Sequence, residues 1–300
     1  MTTSSTLGAY STAEQALQGA DLSGKTVLLT GGNSGIGTET ARVLALAGAR
    51  VILTSRRIGA GQEVADIIQK QGVKGKVVVK QLDLSDLTSV QALAADINAT
   101  EPRLDLLILN AGVMACPQSY TKQDFEMQIG QFSSRIVVVS SLAHAWAASE
   151  GINFNDMHYQ KRAYKAGAAY SQSKLANLLF AKHLAKRLAG SHVTAFSLHP
   201  GTIMTNLARH LPIARLQWFK RLLYWLTTLL WFIPELKTIQ RGAATTVYVA
   251  TAPGLEAHSG GYFSNCREAT PSKNGRNAEL ASKLWASTEE QLAAVLRKLK

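Results

Sequence analysis

Two cysteines in 300 residues, Cys116 and Cys266, are too few and too far apart to form a disulfide framework or a metal cluster. They read as free thiols in a reducing compartment, and no other residues form a plausible metal site. Proline is sparse, at seven residues, and no Pro/Gly/Ser-rich stretch marks a linker between domains. Acidic residues are in deficit, 20 against 32 lysines and arginines, for a formal net charge of +12. That excess calls for an anionic partner: nucleotide phosphates, an anionic membrane surface or nucleic acid. The basic residues are dispersed and never interleaved with aromatics in a run, which argues against nucleic acid. The opening MTTSSTLGAYSTAEQALQG has no basic start followed by an apolar run, so no secretory signal is expected. Its Ser/Thr content and lack of early acids leave organellar targeting open. The expected location is intracellular, cytoplasmic or peripheral at a membrane.

What is present is an alternation. Short β-type runs occur at KTVLLT (25–30), RVILTS (50–55), KVVVKQLD (76–83), LDLLILN (104–110), RIVVVS (135–140), VTAFSLH (193–199) and GGYFSN (260–265). Near-continuous Val, Ile and Leu in several of them suits strands covered on both faces, hence a mostly parallel sheet with helices on each side. Between them, TETARVLALAG, SVQALAADINA and YSQSKLANLLFAKHLAKRLAG carry apolar residues at helical spacing, with Leu175, Leu178, Leu179 and Leu188 on one broad face. With 46% hydrophobic content the chain can bury a large core. The expectation is an α/β, doubly wound fold in one domain over 21–300, preceded by an extension over 1–20. Ligands of such a fold sit at the carboxyl ends of its strands.

The first strand runs into TGGNSGIG, Thr30 to Gly37, and then a helix. The glycine spacing allows a tight turn and close backbone approach, and the helix amino terminus offers N–H groups to a pyrophosphate. Gly31, Asn33, Ser34, Gly35, Ile36 and Gly37 form this candidate cradle for a dinucleotide. The second strand ends TSRR. An NAD site usually ends this strand with an acid for the ribose 2′-hydroxyl. Arg56 suits a 2′-phosphate instead, bidentate and charge-assisted, so NADP(H) is the expected cofactor.

YSQSK places Tyr170 and Lys174 at i and i+4, on one helical face. A nearby ammonium favours phenolate and lowers the tyrosine pKa, making a proton donor and acceptor for a carbonyl/alcohol pair. VVVSS puts Ser140 and Ser141 at a strand's carboxyl end, where a hydroxyl can polarise a substrate oxygen.

TGGNSGIG, LDLS (82–85), LNAG (109–112), VVVSSLAH, YSQSK and HPGTIMT (199–205) follow one another in an order that resembles the short-chain dehydrogenase/reductase family, a Rossmann fold. NAGVMACP, SKLANLLFAKHLAKRL and GGYFSNC…AELASKLW look like its branch of retinol dehydrogenases, WW-domain oxidoreductases and plant relatives. The resemblance covers most of the chain. It implies Tyr170 as general acid/base, Lys174 as its pKa partner and a ribose ligand, and Ser141 as the holder of the substrate oxygen. It implies Asp83 and Leu84 beside the adenine, and Asn110, Ala111 and Gly112 at the adenosine ribose. Pro200, Gly201, Ile203 and Thr205 would meet the nicotinamide amide. His144 and His199 occupy matching positions, with structural roles expected for both.

One stretch departs from that pattern. In FEMQIGQFSSRIVVVSS, Gly130 runs directly into QFSSRIVVV, where these relatives continue through an Asn-containing stretch and a long apolar helix. Against the pattern about twenty to twenty-five residues are absent, and with them the asparagine of the catalytic tetrad. The remaining connection exceeds the dozen or so residues that parallel strands need. Phe125, Ile129 and Phe132 are spaced for a two-turn stub, which would leave apolar surface exposed on neighbouring strands. The same helix usually contributes to the subunit interface, so homo-oligomerisation stays undecided.

A second segment, LQWFKRLLYWLTTLLWFIP (216–234), is too short in its apolar core to span a bilayer. Its flanking Lys220, Arg221 and Lys237 and its aromatic anchors suit an interfacial helix in a lipophilic lid over about 202–237. Packing on the core or on another subunit is the competing explanation. Two functional readings follow. One is an NADP(H)-dependent oxidoreductase acting on a lipophilic alcohol or carbonyl of retinoid, steroid or fatty-aldehyde type. The other is an NADP(H)-binding isoform or redox sensor with little turnover.

Overall fold

The computed structural model of the chain describes residues 6–114, 116–125, 136–203 and 236–299. Its strands form where the Val/Ile/Leu runs lie: β1 Thr26–Leu29, β2 Arg50–Ser55, β3 Lys76–Gln81, β4 Leu106–Leu109, β5 Ile136–Val139 and β6 Ala195–His199. Two short pairs follow, β7 Thr202–Ile203 with β8 Leu236–Lys237, and β9 Tyr262–Ser264 with β10 Arg267–Glu268. The main sheet has the order β10-β9-β6-β5-β4-β1-β2-β3. Every neighbour in it is parallel except β9 with β10.

Helices α1 Ala13–Ala16, α2 Gly35–Leu46, α3 Ile58–Lys70 and α4 Leu87–Thr100 precede β1, β2, β3 and β4 in turn, and α5 Ala166–Arg187 lies between β5 and β6. After β8 come α6 Ile239–Gly242, α7 Ala244–Thr251, α8 Lys273–Arg276 and α9 Ala278–Lys298. Alternating side chains divide the sheet between two cores, as the period of two requires. Leu29, Leu53, Ile108, Val137 and Phe196 face α2, α3 and α7, meeting Leu44, Ile68 and Val249. Leu28, Ile52, Leu107 and Val138 face α4 and α5, meeting Leu93, Ile97 and Phe180. The sheet is therefore doubly wound, as its apolar runs implied.

The chain ahead of β1 joins this body. Ala13 and Ala16 of α1 share a buried cluster with Ala244, Val247 and Cys266. Arg42 of α2 ties the arrangement electrostatically, bonding Glu39 at 2.8 Å and Glu14 at 2.5 Å. Both cysteines are buried free thiols, as expected.

The connection from β4 to β5 closes. Leu107, Ile108 and Leu109 register in parallel against Ile136, Val137 and Val138. The described part of this connection lies beside the start of α4. Its residues 116–125 are pinned to the start of α4: Lys122 N–H donates to the Ser85 carbonyl at 2.8 Å, and Lys122 Nζ pairs with Asp86 at 2.6 Å. The Gln123 side-chain oxygen accepts from Leu87 N–H at 3.0 Å. The described part of the connection contains no helix. Of the expected stub, Ile129 and Phe132 lie outside the described residues, while the Phe125 ring sits edge-on to His158 at 5.4 Å. The apolar exposure anticipated on this face is not found. Leu107, Leu109, Ile136 and Val138 are all at most 6% exposed, because α4 and α5 contribute Leu93, Ile97, Phe180 and Ala181 to the same cluster.

Most of the lid, including the 216–234 segment and Thr205, lies outside the described residues. Its two ends are joined, Thr202 pairing with Leu236 and Ile203 with Lys237. Among the described residues, no helix is long and apolar enough to cross a membrane.

Phe196 is fully buried at the centre of one core and packs edge-on against Phe263. Phe196→Ala should lower unfolding free energy by about 3–5 kcal/mol. Equilibrium denaturation of the two proteins checks it; a loss below about 1 kcal/mol would contradict this packing.

Candidate active site

The carboxyl ends of the parallel strands bring the sequence-predicted residues to one edge of the sheet. The order of strands reverses between β1 and β4, and the glycine loop leaves β1 at that point. Gly31 has φ +65°, and a Cβ there would lie 2.8 Å from the Ala111 Cα. A Cβ on Gly37 would lie 2.3 Å from the Gly31 carbonyl oxygen and 2.6 Å from Asn110 Nδ2. Both positions require glycine because the loop, α2 and the end of β4 meet with no room for a side chain.

Asn110 clamps this junction, its side-chain amide donating to the carbonyls of Thr30 and Gly31 at 3.0 Å each. Thr30 returns the contact, its hydroxyl accepting from Ala111 N–H at 3.1 Å. Asn33 is half-buried, whereas Ser34 is exposed at the N-cap of α2 and makes no side-chain capping bond. Gly35 opens α2. Ile36 turns its side chain inward toward Gly242 and the core, so only its backbone is available to a ligand.

Arg56 is exposed just past β2. Its charge reaches Asp83, beyond β3. Burial pushes the Asp83 carboxyl up, but hydrogen bonds from Ser85 and the Arg56 charge bring it below its ordinary range. Leu84 is half-buried and packs against the core on the α4 face. Ala111 is half-buried and Gly112 exposed at the end of β4. Beyond β6, Pro200 is buried and Gly201 packs on the aliphatic part of Lys237, leaving 2.6 Å between a Cβ there and the lysine Cδ. Ile203 lies in β7, against Gly242.

The strand β5 and helix α5 assemble the chemical group. Ser141 follows β5, and its hydroxyl accepts from Ala143 N–H at 3.2 Å. A hydrogen bond joins the Ser141 and Tyr170 hydroxyls. Lys174, one turn along α5, places its ammonium 5.5 Å from the Tyr170 ring centre. The same ammonium sits 3.4 Å from where a Cβ on Gly112 would be, so it faces the end of β4. It donates to the Val139 carbonyl at 3.4 Å, and Ser140 Oγ donates to the Lys174 carbonyl at 2.6 Å.

Electrostatics here differ from the sequence expectation in one respect. Burial raises the Tyr170 pKa above its ordinary value, opposed by the Ser141 hydrogen bond, and Lys174 does not lower it. The reason is mutual desolvation: Lys174 is itself only 7% exposed, and burial pulls its own pKa down to about 8. At neutral pH Tyr170 therefore carries its proton and Lys174 its charge.

His144 and His199 are structural, as expected. His144 Nδ1–H donates to the Ser141 carbonyl at 2.7 Å, and its Nε2 accepts from Ser272 N–H at 3.1 Å. Burial lowers its pKa and keeps it neutral. His199 Nδ1 accepts from Leu142 N–H at 3.1 Å. Three contributors escaped the sequence reading: Thr30, Asn177 and Lys237. Asn177 donates to the Val139 carbonyl at 3.2 Å, and its i+7 spacing from Tyr170 was a usable signal. Lys237, bonded to Asn265 at 2.6 Å, carried no local signal because its role depends on strand pairing.

A family model described as short chain dehydrogenase matches residues 25–215. Retinol dehydrogenase 11 of Mus musculus is 44% identical over 283 residues, covering 88% of this chain and 85% of the relative. Retinol dehydrogenase 12 of Homo sapiens is 41% identical over 283 residues, with 88% and 85% covered. Among solved structures, an uncharacterised protein of Mycobacterium paratuberculosis superposes with a TM-score of 0.71 at 33% identity, covering 92% of this chain and 96% of its own.

The buried ammonium makes a stability prediction for the cofactor-free protein. Its folded-state pKa of about 8 lies below the ordinary 10.5, so between those values the unfolded chain holds a proton that the folded one has shed. Stability attributable to Lys174 therefore rises with pH across that window and is lowest below pH 8. Lys174→Met should abolish this rise and add about 3 kcal/mol at pH 7. Denaturation of both proteins from pH 7 to 10.5 checks it; parallel pH profiles would contradict a desolvated ammonium.

Proposed function

The chain belongs to the short-chain dehydrogenase family, and on that premise we propose that it is an NADP(H)-dependent oxidoreductase of a lipophilic alcohol/carbonyl pair. The observation that carries this reading is the convergence of Ser141, Tyr170 and Lys174 beside Gly112, at the edge where the strand order reverses. The residues present fit a nicotinamide dinucleotide. The side-chain-free contact of Gly31 and Gly37 with the end of β4 leaves backbone surface for a pyrophosphate, next to the uncapped start of α2. The Lys174 ammonium over Gly112 suits a ribose hydroxyl. Arg56 replaces the acid of an NAD site with a guanidinium for the 2′-phosphate. Asp83 and Leu84 would border the adenine, and Pro200 to Ile203 the nicotinamide amide.

When bound, the cofactor supplies or takes up hydride at the substrate carbon. The protein's part is proton and charge management. In the direction of reduction, Tyr170 O–H donates its proton to the carbonyl oxygen; in oxidation, the phenolate accepts it back. Ser141 can accept from Ala143 N–H and turn its own hydrogen toward the reacting oxygen, because a hydroxyl is donor and acceptor together. Lys174 keeps a positive charge near the phenolate that forms. The raised Tyr170 pKa holds the donor protonated before the reaction, which suits carbonyl reduction.

The substrate class rests on the relatives, which are named as retinol dehydrogenases. A retinoid-like, steroid-like or fatty-aldehyde compound is the reading for this chain. The composition of 216–234, with Trp218, Tyr224, Trp225 and Trp231, suits contact with a lipid surface.

Titration of the purified protein with NADPH and NADH tests the cofactor. NADPH should bind more tightly and raise the melting temperature more. Arg56→Ala should weaken NADPH about ten- to a hundredfold and leave NADH nearly unchanged. Equal losses for both would remove Arg56 from the phosphate site. In a screen of lipophilic carbonyls, Tyr170→Phe should abolish turnover while NADPH still binds; retained activity sinks the assignment. Binding without turnover of any carbonyl by the wild type would support the sensor reading instead.

A further inference from the structure

We propose that Asn177 is the positioning residue for Lys174, setting the ammonium's place through the Val139 carbonyl that both side chains bond. The inference rests on the proposed role of Lys174 at the cofactor. Tyr170, Lys174 and Asn177 stand at i, i+4 and i+7 of α5, a single face directed at the end of β5. Val139 is the last residue of β5, two before Ser141.

Its carbonyl oxygen receives Asn177 Nδ2 at 3.2 Å and Lys174 Nζ at 3.4 Å. An oxygen with two lone pairs can accept both, but the lysine contact is the longer and lies near the limit of a hydrogen bond. Asn177 thus takes the better share of this acceptor. The ammonium stays only loosely held on the strand side and remains directed at Gly112, where its Nζ is 3.4 Å from the position of a Cβ. Ser140 fixes the other end of the contact, donating from Oγ to the Lys174 carbonyl at 2.6 Å. The helix and strand therefore cannot slide to give Lys174 a shorter bond.

Among the described residues, no other asparagine bonds the Val139 carbonyl. The sequence has none between Asn110 and Asn153, and Asn110 spends its amide on Thr30 and Gly31. Nor does a charged group compete. Tyr170 on the same helix, His144 and His199 beyond β5 and β6, and the carboxylates of the described residues leave the lysine unshifted; burial alone sets its pKa.

Without Asn177 the Val139 carbonyl would turn wholly to Lys174, drawing the ammonium from Gly112 and raising its pKa. The experiment compares wild type, Asn177→Ala and Asn177→Asp in two measurements. One is stability of the cofactor-free protein from pH 7 to 10.5, with Lys174→Met as the reference that lacks the lysine's contribution. The other is NADPH affinity. In Asn177→Ala the alkaline rise attributable to Lys174 should begin above the wild-type pH of about 8, and NADPH should bind about fivefold more weakly. Asn177→Asp, nearly isosteric, should move the rise further up by placing a carboxylate beside the ammonium. It serves alone if the alanine variant does not fold. A uniform loss of stability at every pH, with NADPH affinity unchanged, would overturn the proposal and leave Asn177 as packing. If the wild type itself fails to bind NADPH, the functional reading falls, while the position of the alkaline rise still decides the link from Asn177 to Lys174.

Discussion

The Asn110 amide holds the point on which the remaining architecture depends. Its two donor hydrogens go to Thr30, just past β1, and to Gly31, the first glycine of the turn. These groups lie where the strand order reverses, so the side chain extends past the strand ends the pairing that Val27, Leu28 and Leu29 make with Leu106, Leu107 and Ile108. Asn110 Oδ1 is buried and accepts no hydrogen bond from the described residues, so the tie is made by the two donors. They force the glycine turn to approach β4 closely, which in turn forbids side chains at Gly31 and Gly37 and aims the start of α2 at the crevice.

Charge is distributed around that crevice in two different ways. Arg56 is exposed, and its influence extends only as far as Asp83. An exposed guanidinium costs little to keep and is available to a phosphate. Lys174 is the opposite case: an ammonium buried against a backbone carbonyl, its pKa depressed, held where the folded protein gains nothing from it. Burying a cation with so little compensation is unfavourable for stability.

How much of this the residues disclosed in advance followed from range. Strands β1 to β5 were readable because each is a run of four to six residues with Val, Ile or Leu on both faces, a local property. Tyr170, Lys174 and Ser141 were readable because local spacing puts them at a helix face and a strand end. The contacts of Lys237 were not, since its partners Gly201 and Asn265 meet it only after β7 and β8 pair across the lid. The acidity of Tyr170 was misjudged for a related reason. Sequence spacing reports that an ammonium is near a phenol but not that both are desolvated, and desolvation is the larger effect on each. The burial of β4 and β5 on the α4 face was likewise a matter of how closely α4 and α5 approach, which no spacing within the connection encodes.

That last point bears on what holds the end of β5 in place. β4 and β5 have four residues each, about 13 Å of strand, and the ten residues between Phe125 and Ile136 reach at least about 15 Å even when counted at helical rise. Closure is thus not the difficulty. Among the described residues, the geometry of Ser141, Tyr170 and Lys174 is fixed by Ser140 and Val139 of the β5 end bonding α5, and by Ser141 bonding Ala143 and Tyr170. α5 in turn is held by its buried Leu175, Leu178 and Leu179 and by packing on α9. The described contacts that arrange Ser141, Tyr170 and Lys174 thus come from the end of one strand and one face of one helix.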